Sequence, residues 1–107
     1  MDKPNIKYLR TLIREEKYRL THHAEKERES DKTNIKEIEQ AFLSQRCEII
    51  EKYPNDPKGE SCLILGFTKE QKPIHMVCGI QEENFLIIIT VYRPDPKLWT
   101  DYRKRKE

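Results

Sequence analysis

The stretch FLIIITVY, residues Phe85 to Tyr92, decides the fold of this 107-residue chain. Seven of its eight residues are apolar and none is charged. Its β-branched centre favours an extended backbone over a helix. A short run without polar alternation is typical of a strand covered on both faces. Pro94 follows closely and cannot donate to a sheet ladder, so we predict that the strand ends at Tyr92.

Three more strands are predicted upstream of this one, at residues 47–53, 61–67 and 73–79. Gly66 is a candidate bulge position in the second of them. Polar turn clusters join the strands, including Pro54 to Gly59 and residues 80–84. Connections this short favour an antiparallel meander.

Three helices are predicted before the sheet. Apolar residues at spacings of three and four mark the first, at residues 4–16, with Pro4 in its first turn. Thr21 can cap the second, at residues 22–29. Thr33 or Asn34 opens the third, and Asn34 with Glu37 matches a capping box.

Residues 99–106 predict a short C-terminal helix that folds back on the core. The whole chain, 1–107, is then one α+β domain, with N-terminal helices on one face of a four-stranded antiparallel sheet. The second face of the central strand also needs cover. Either the C-terminal helix or a partner protein supplies it.

Composition excludes several protein classes. The net charge of +2 is too small to diagnose a nucleic-acid-binding protein. The three cysteines, Cys47, Cys62 and Cys78, have no CxxC spacing, which argues against a disulfide framework and a structural zinc site. We expect buried free thiols in a reducing cytoplasm. No stretch approaches the roughly 20 apolar residues of a membrane span.

His22 and His23 are the first candidate site residues. They open the second helix, where backbone N–H groups and the helix dipole favour anions and disfavour a protonated imidazole. Glu27 lies four residues after His23 on the same helix face and could orient its ring. The alternative is a pair of surface imidazoles with no task. Without an HExxH motif, we predict neither a metal site nor a cofactor.

A second group of candidates lies on the strands. His75 is in the middle of the third strand, on the face opposite Ile74. Tyr92 and Arg93 follow at the end of the central strand, where site residues often occur. Arg93, with Arg28 from the second helix, could bind a phosphate. Each of these residues could instead be structural or solvated.

The sequence also resembles the DUF4258 family of small bacterial proteins over about residues 18–99. The resemblance rests on the helix start YRLTHHA at residues 18–24, on PIHMVCG at residues 73–79, and on IITVYRPDP at residues 88–96 followed by Trp99. That family looks like a branch of the RelE/ParE-like toxin superfamily, which includes MqsR-like toxins. The resemblance implies a RelE-like fold with helices on an antiparallel sheet, and RNA cleavage without a metal.

The resemblance points to His23, Glu27, His75 and Tyr92 as catalytic residues, and to a small zinc-binding antitoxin of the MqsA type as partner. We therefore expect a cytoplasmic, metal-independent endoribonuclease, the toxin of a toxin–antitoxin pair acting on RNA. His22, Arg28 and Arg93 would contact phosphate. The alternative is a non-enzymatic protein-binding module of the same fold.

Overall fold

A computed structural model describes residues 5–81 and 84–107. In that part of the chain three helices precede the main sheet: α1 (Ile6–Arg14), α2 (His22–Ser30) and α3 (Ile35–Leu43). Each begins after a side chain that accepts a hydrogen bond from a backbone N–H of its first turn, namely Asn5, Thr21 and Asn34. The predicted cap of α2 and the Asn34–Glu37 capping box are confirmed. The predicted position of Pro4 lies outside the described residues.

Five strands form one mixed sheet in the described residues: β1 (Tyr18–Leu20), β2 (Glu48–Tyr53), β3 (Ser61–Phe67), β4 (Pro73–Gln81) and β5 (Phe85–Tyr92). Their order is β1-β5-β4-β3-β2. The meander from β2 to β5 is antiparallel, as predicted. The turn predicted at residues 80–84 is shorter than expected, because Ile80 and Gln81 belong to β4; Glu82 and Glu83 lie outside the described residues.

The prediction of a four-stranded, purely antiparallel sheet was wrong, because β1 pairs with β5 in parallel. The segment Tyr18–Leu20, between α1 and α2, is this fifth strand, with Tyr18 opposite Leu86. Just before it, the Lys17 carbonyl accepts a hydrogen bond from the Leu86 N–H at 3.0 Å. This pairing satisfies edge groups of β5 that would otherwise be bare, which is a general reason for covering an edge strand.

The helices cover one face of the sheet and enclose the main core there. Its largest fully buried side chains include Leu9, Phe42 and Ile64. Gly66 is not a bulge, since it pairs regularly with Ile74. Its role is close packing: a Cβ there would lie 2.2 Å from the Ala41 carbonyl oxygen. The helix α3 therefore rests directly on the backbone of β3.

The second face of the sheet is covered by a C-terminal hairpin, β6 (Trp99–Thr100) paired with β7 (Lys104–Arg105). The predicted C-terminal helix was wrong. Asp101 and Tyr102 turn the chain with φ angles of 53° and 62°, in the left-handed region that helices avoid. Trp99 belongs to β6, and its buried side chain lies between the hairpin and the five-stranded sheet.

Two long-range ion pairs favour a hairpin over a helix here. From the hairpin, Arg103 donates a hydrogen bond to Glu48 at 2.8 Å and Arg105 donates one to Glu51 at 2.8 Å. Both carboxylates belong to β2. In a helix, two residues at this spacing would point about 200° apart. The extended hairpin lets both reach the carboxylates of β2.

The three cysteines are free and buried, as predicted. No helix within residues 5–81 and 84–107 combines the length and apolarity needed to cross a membrane. Within the same residues, no three His, Cys, Asp or Glu side chains converge as a metal-ion site.

Candidate functional site

The helix α2 lies along the edge of β5 where β1 stops. The Thr21 N–H donates to the Ile88 carbonyl at 3.0 Å, and the Thr21 hydroxyl donates to the Ile89 carbonyl at 3.0 Å. Further along, the Glu27 carboxylate accepts from the Val91 N–H at 2.9 Å. Thr21 and the Glu27 side chain therefore continue the hydrogen bonding of this edge beyond Leu20, and they fix α2 against the end of β5.

A bulge in β5 makes this contact possible. Ile88 lies opposite Cys78 and Thr90 opposite Val77, so Ile89 is an extra residue in β5. A bulge of this kind shifts the side-chain alternation by one residue. Val91 consequently enters the core with 1% exposure, while its N–H points to the edge and meets Glu27.

His23 and Glu27 form the most open polar pair of the site. The His23 Nε2 lies 3.3 Å from Glu27 Oε1, and the His23 side chain is 67% exposed against 26% for Glu27. The same carboxylate oxygen is held by the Val91 N–H. The carboxylate favours the tautomer with the proton on Nε2, which leaves the Nδ1 lone pair available to a substrate. The arrangement resembles that of a general base with its orienting group.

Arg28 and Arg93 lie toward the other end of α2. Arg28 contacts the Glu25 carboxylate and donates to the Thr33 carbonyl at 3.4 Å. Because it bonds both within α2 and to the segment before α3, it ties the two helices together.

Arg93 extends this connection. It donates to the Asp31 carbonyl at 3.4 Å, and its Nη2 lies 3.8 Å from Glu37 Oε2. Asp31 follows His23 by eight residues, about 12 Å along a helix axis. The structure therefore places the two predicted phosphate-binding arginines beside acidic partners, one to two helical turns from His23. His22 is exposed at the first position of α2.

His75 and Tyr92 form a separate group beneath the hairpin. His75 is 0% exposed. Its Nδ1 lies 3.0 Å from the Tyr92 hydroxyl and its Nε2 lies 2.6 Å from the Tyr102 carbonyl. A carbonyl can only accept, so Nε2 donates and Nδ1 accepts from Tyr92. Trp99 packs edge-on against the imidazole at 4.5 Å between ring centroids.

This environment keeps both groups in their neutral forms. Burial lowers the pKa of His75 below its usual value, because a low-dielectric setting disfavours the charged imidazolium. Burial also raises the pKa of Tyr92, against the opposing effect of the Arg105 charge and with smaller raising contributions from Glu51 and Glu27. With both ring nitrogens engaged, His75 offers no free lone pair to a substrate in this arrangement.

The predicted residues thus fall into two groups on either side of β5. Val91 bonds to Glu27 through its backbone, and the next residue, Tyr92, bonds to His75 through its side chain. The start of α2 and the exit of β5 do lie side by side. The His23 side chain contacts Glu27, whereas the Tyr92 side chain contacts His75.

Sequence reasoning missed the charged network under the hairpin. Arg105 binds the Glu51 carboxylate with two hydrogen bonds, at 2.8 and 3.2 Å, and its guanidinium lies 4.8 Å over the Trp99 ring. Tyr53 donates to Glu51 at 2.5 Å. The hydrogen bonds from Arg105 lower the pKa of Glu51, and burial followed by Glu51 raises the pKa of Tyr53 to about 12. Trp99, Arg103 and Arg105 are separated by even numbers of residues, which places them on one face of an extended segment. This spacing was the sequence signal for the network.

Comparison with models of known protein families matches residues 20–93 to a domain of unknown function, DUF4258. The chain belongs to the DUF4258 family. The matched part of this DUF4258 protein contains every candidate residue named above from His22 to Arg93. It ends before the hairpin that covers His75. Neither the curated proteins nor the solved structures contain a match to the chain.

Proposed function

We propose that this protein is a metal-independent endoribonuclease, the toxin of a type II toxin–antitoxin pair, related to the RelE/ParE-like superfamily and its MqsR-like members. The observation that carries the proposal is the His23–Glu27 pair: an exposed imidazole 3.3 Å from a carboxylate that the Val91 N–H holds in place. An oriented imidazole that is open to solvent is the group that general-base chemistry needs.

In the proposed reaction His23 takes the proton of a ribose 2′-hydroxyl through Nδ1. The 2′-oxygen then attacks the adjacent phosphorus, and the bond from phosphorus to the 5′-oxygen breaks. Water supplies the proton to the leaving 5′-oxygen, because both nitrogens of His75 are engaged. The products are a 2′,3′-cyclic phosphate and a 5′-hydroxyl. Glu27 stabilises the imidazolium that forms.

The other predicted residues take supporting roles. Arg28 and Arg93 lie about 12 Å or less along α2 from His23, where they would contact phosphates of neighbouring nucleotides. His22 extends the same exposed helix start. Tyr92 and His75 maintain the end of β5 that positions Glu27, which differs from the catalytic role that the resemblance implies for them.

The test is cleavage of RNA by the purified protein in EDTA, with messenger RNA as the proposed target in the cell. We expect 2′,3′-cyclic phosphate ends, and a rate for His23→Ala that is lower by about 10²–10⁴-fold. Glu27→Gln should reduce the rate less, because it keeps a hydrogen-bond acceptor. Glu29→Gln is the control, since Glu29 is exposed on the same helix and does not face His23. Equal rates for His23→Ala and the wild type would refute the assignment of the base.

A small zinc-binding antitoxin of the MqsA type is the proposed partner, and the cytoplasm is the proposed location. Expression of the protein alone in a bacterium should arrest growth, and coexpression with the neighbouring reading frame should relieve the arrest. Relief without a physical complex between the two proteins would contradict this pairing.

One observation favours a second candidate, a non-enzymatic protein-binding module. In the described residues β2 pairs only with β3, so its outer edge is free along Glu48–Tyr53. A partner could add a strand there. Stoichiometric binding of a partner by a protein that does not cleave RNA would favour this candidate.

A further inference from the structure

A groove of about 600 Å³ lies between the C-terminal end of α3 and the turn that joins β3 to β4. It is separate from the His23–Glu27 pair. Two side-chain hydrogen bonds shape it: Gln40 accepts from the Lys69 N–H at 3.0 Å, and Arg46 donates to Gln71 at 2.8 Å. These bonds fasten the turn to α3 and to the segment after it.

A stacked arginine forms one wall of the groove. The guanidinium carbon of Arg46 lies 3.6 Å from the centroid of the Phe67 ring. Phe67 is buried whereas Arg46 is exposed, so one face of the planar guanidinium rests on the ring and the other faces solvent. The hydrogen bond to Gln71 further restrains it. A flat cation held in this way can stack on a second planar group, such as a nucleobase.

The charges of the groove favour an anion beside that planar group. Its lining includes the cations Lys36, Arg46 and Lys69 but a single carboxylate, Glu39. That carboxylate already accepts a hydrogen bond from the Tyr18 hydroxyl at 2.5 Å. The groove therefore keeps an excess of positive charge next to the stacking surface. A planar base joined to a phosphate is the ligand class that matches both features.

We propose that this groove is a nucleotide-binding subsite, in which a base stacks on the outer face of Arg46 and the attached phosphate contacts Lys36 and Lys69. That the nucleotide belongs to an RNA substrate rests on the proposed function. The connection runs along α3: Glu37 at its start meets Arg93, and Gln40 borders the groove. An RNA strand that passes His23 and Arg93 can reach the groove along this helix.

The experiment titrates the full-length, ¹⁵N-labelled protein with AMP, adenosine and inorganic phosphate, with NMR as readout. AMP should shift the backbone signals of residues 67–71 and the Arg46 side chain, and should bind more tightly than either fragment. Arg46→Ala should weaken AMP binding by about 5- to 100-fold. Arg46→Lys should weaken it similarly, because lysine keeps the charge and loses the plane.

Lys69→Ala should reduce the preference for AMP over adenosine. Lys58→Ala, at an exposed cation in the turn between β2 and β3, is the matched control and should bind AMP as the wild type does. The proposal is overturned if AMP shifts no groove signal, if adenosine binds as tightly as AMP, or if Arg46→Lys binds as the wild type. AMP binding without RNA cleavage would refute the proposed nuclease and leave the subsite standing. RNA cleavage without AMP binding would refute the subsite and leave the proposed nuclease standing.

Discussion

Replacement of His75 by phenylalanine should destabilise the protein strongly although it preserves an aromatic ring. The change removes the donor to the Tyr102 carbonyl and the acceptor of the Tyr92 hydroxyl. A buried polar group left without a partner costs about 1–3 kcal/mol. Tyr92 is half-buried and can turn partly to water, so we expect a total loss of about 2–4 kcal/mol in the free energy of unfolding. Domains of this size are stable by only about 5–15 kcal/mol.

Urea denaturation followed by circular dichroism measures this loss. With a slope of about 2 kcal/mol per molar urea, the midpoint should fall by about 1–2 M. Tyr92→Phe alone should cost about 0.5–1.5 kcal/mol. The double variant should cost less than the sum of the two, because it no longer leaves an unpaired hydroxyl. A midpoint for His75→Phe within 0.2 M of the wild type, or strict additivity, would refute the described hydrogen bonds.

The difference in unfolding free energy between the wild type and His75→Phe should depend on pH. Burial lowers the pKa of folded His75, against the opposing effect of the Tyr102 carbonyl and the Glu51 carboxylate and with a minor contribution from Arg105. Unfolded histidine titrates near pH 6.5, so below that pH the unfolded chain binds the extra proton first. The stability contributed by His75 is present above about pH 6.5 and is lost as the pH falls, by at most about 1.4 kcal/mol per pH unit. The difference between wild type and His75→Phe should therefore shrink from pH 7.5 to pH 5; a growing difference would contradict the sign.

Three further outcomes can be checked. Gly66→Ala should lower the free energy of unfolding by about 1–3 kcal/mol, since α3 must move off the sheet, and urea melts would show an unchanged midpoint if α3 did not rest there. Asn34→Ala should cost about 1 kcal/mol by loss of the capping box, and a smaller helical signal at equal temperature would accompany it. Burial raises the pKa of the Cys47 thiol to about 12, and the hydrogen bond with Cys62, followed by burial, raises the pKa of the Cys78 thiol well above its usual value. The same hydrogen bond lowers the pKa of Cys62, but that side chain is buried like the other two. A thiol reagent should therefore label all three cysteines slowly in the native protein and fully in the urea-unfolded protein.

Local sequence was sufficient where the structural signal is local. The strand Phe85–Tyr92 has the predicted bounds because a stiff apolar run is closed by polar residues on one side and by Pro94 on the other. The starts of α2 and α3 follow from side chains that bond to backbone N–H groups three residues away. In each case the deciding contact lies within a few residues.

Local sequence failed where distant contacts decide. The three residues of β1 are too few to show a period, and their parallel partner lies 68 residues away, as in the pair Tyr18–Leu86. The last five residues, 103–107, are all good helix formers, yet Trp99 and Arg105 find their partners on strands that precede them by tens of residues.

The candidate site was predictable in part for the same reason. The pairing of His23 with Glu27 follows from helical spacing and is present in the structure. The resemblance grouped Tyr92 with His23 as catalytic residues, but the direction of the Tyr92 side chain depends on the side-chain alternation of β5. The extra residue Ile89 changes that alternation, and a bulge without glycine leaves no mark in the sequence.

The imidazole beneath the hairpin is held by a main-chain oxygen, that of Tyr102, and this has an evolutionary consequence. Position 102 can exchange its side chain without breaking the bond, provided that the new residue accepts a φ near 62°. Glycine or asparagine satisfies that condition better than tyrosine does. A homologous chain with glycine or asparagine at this turn would therefore keep the hydrogen bond to the His75 imidazole.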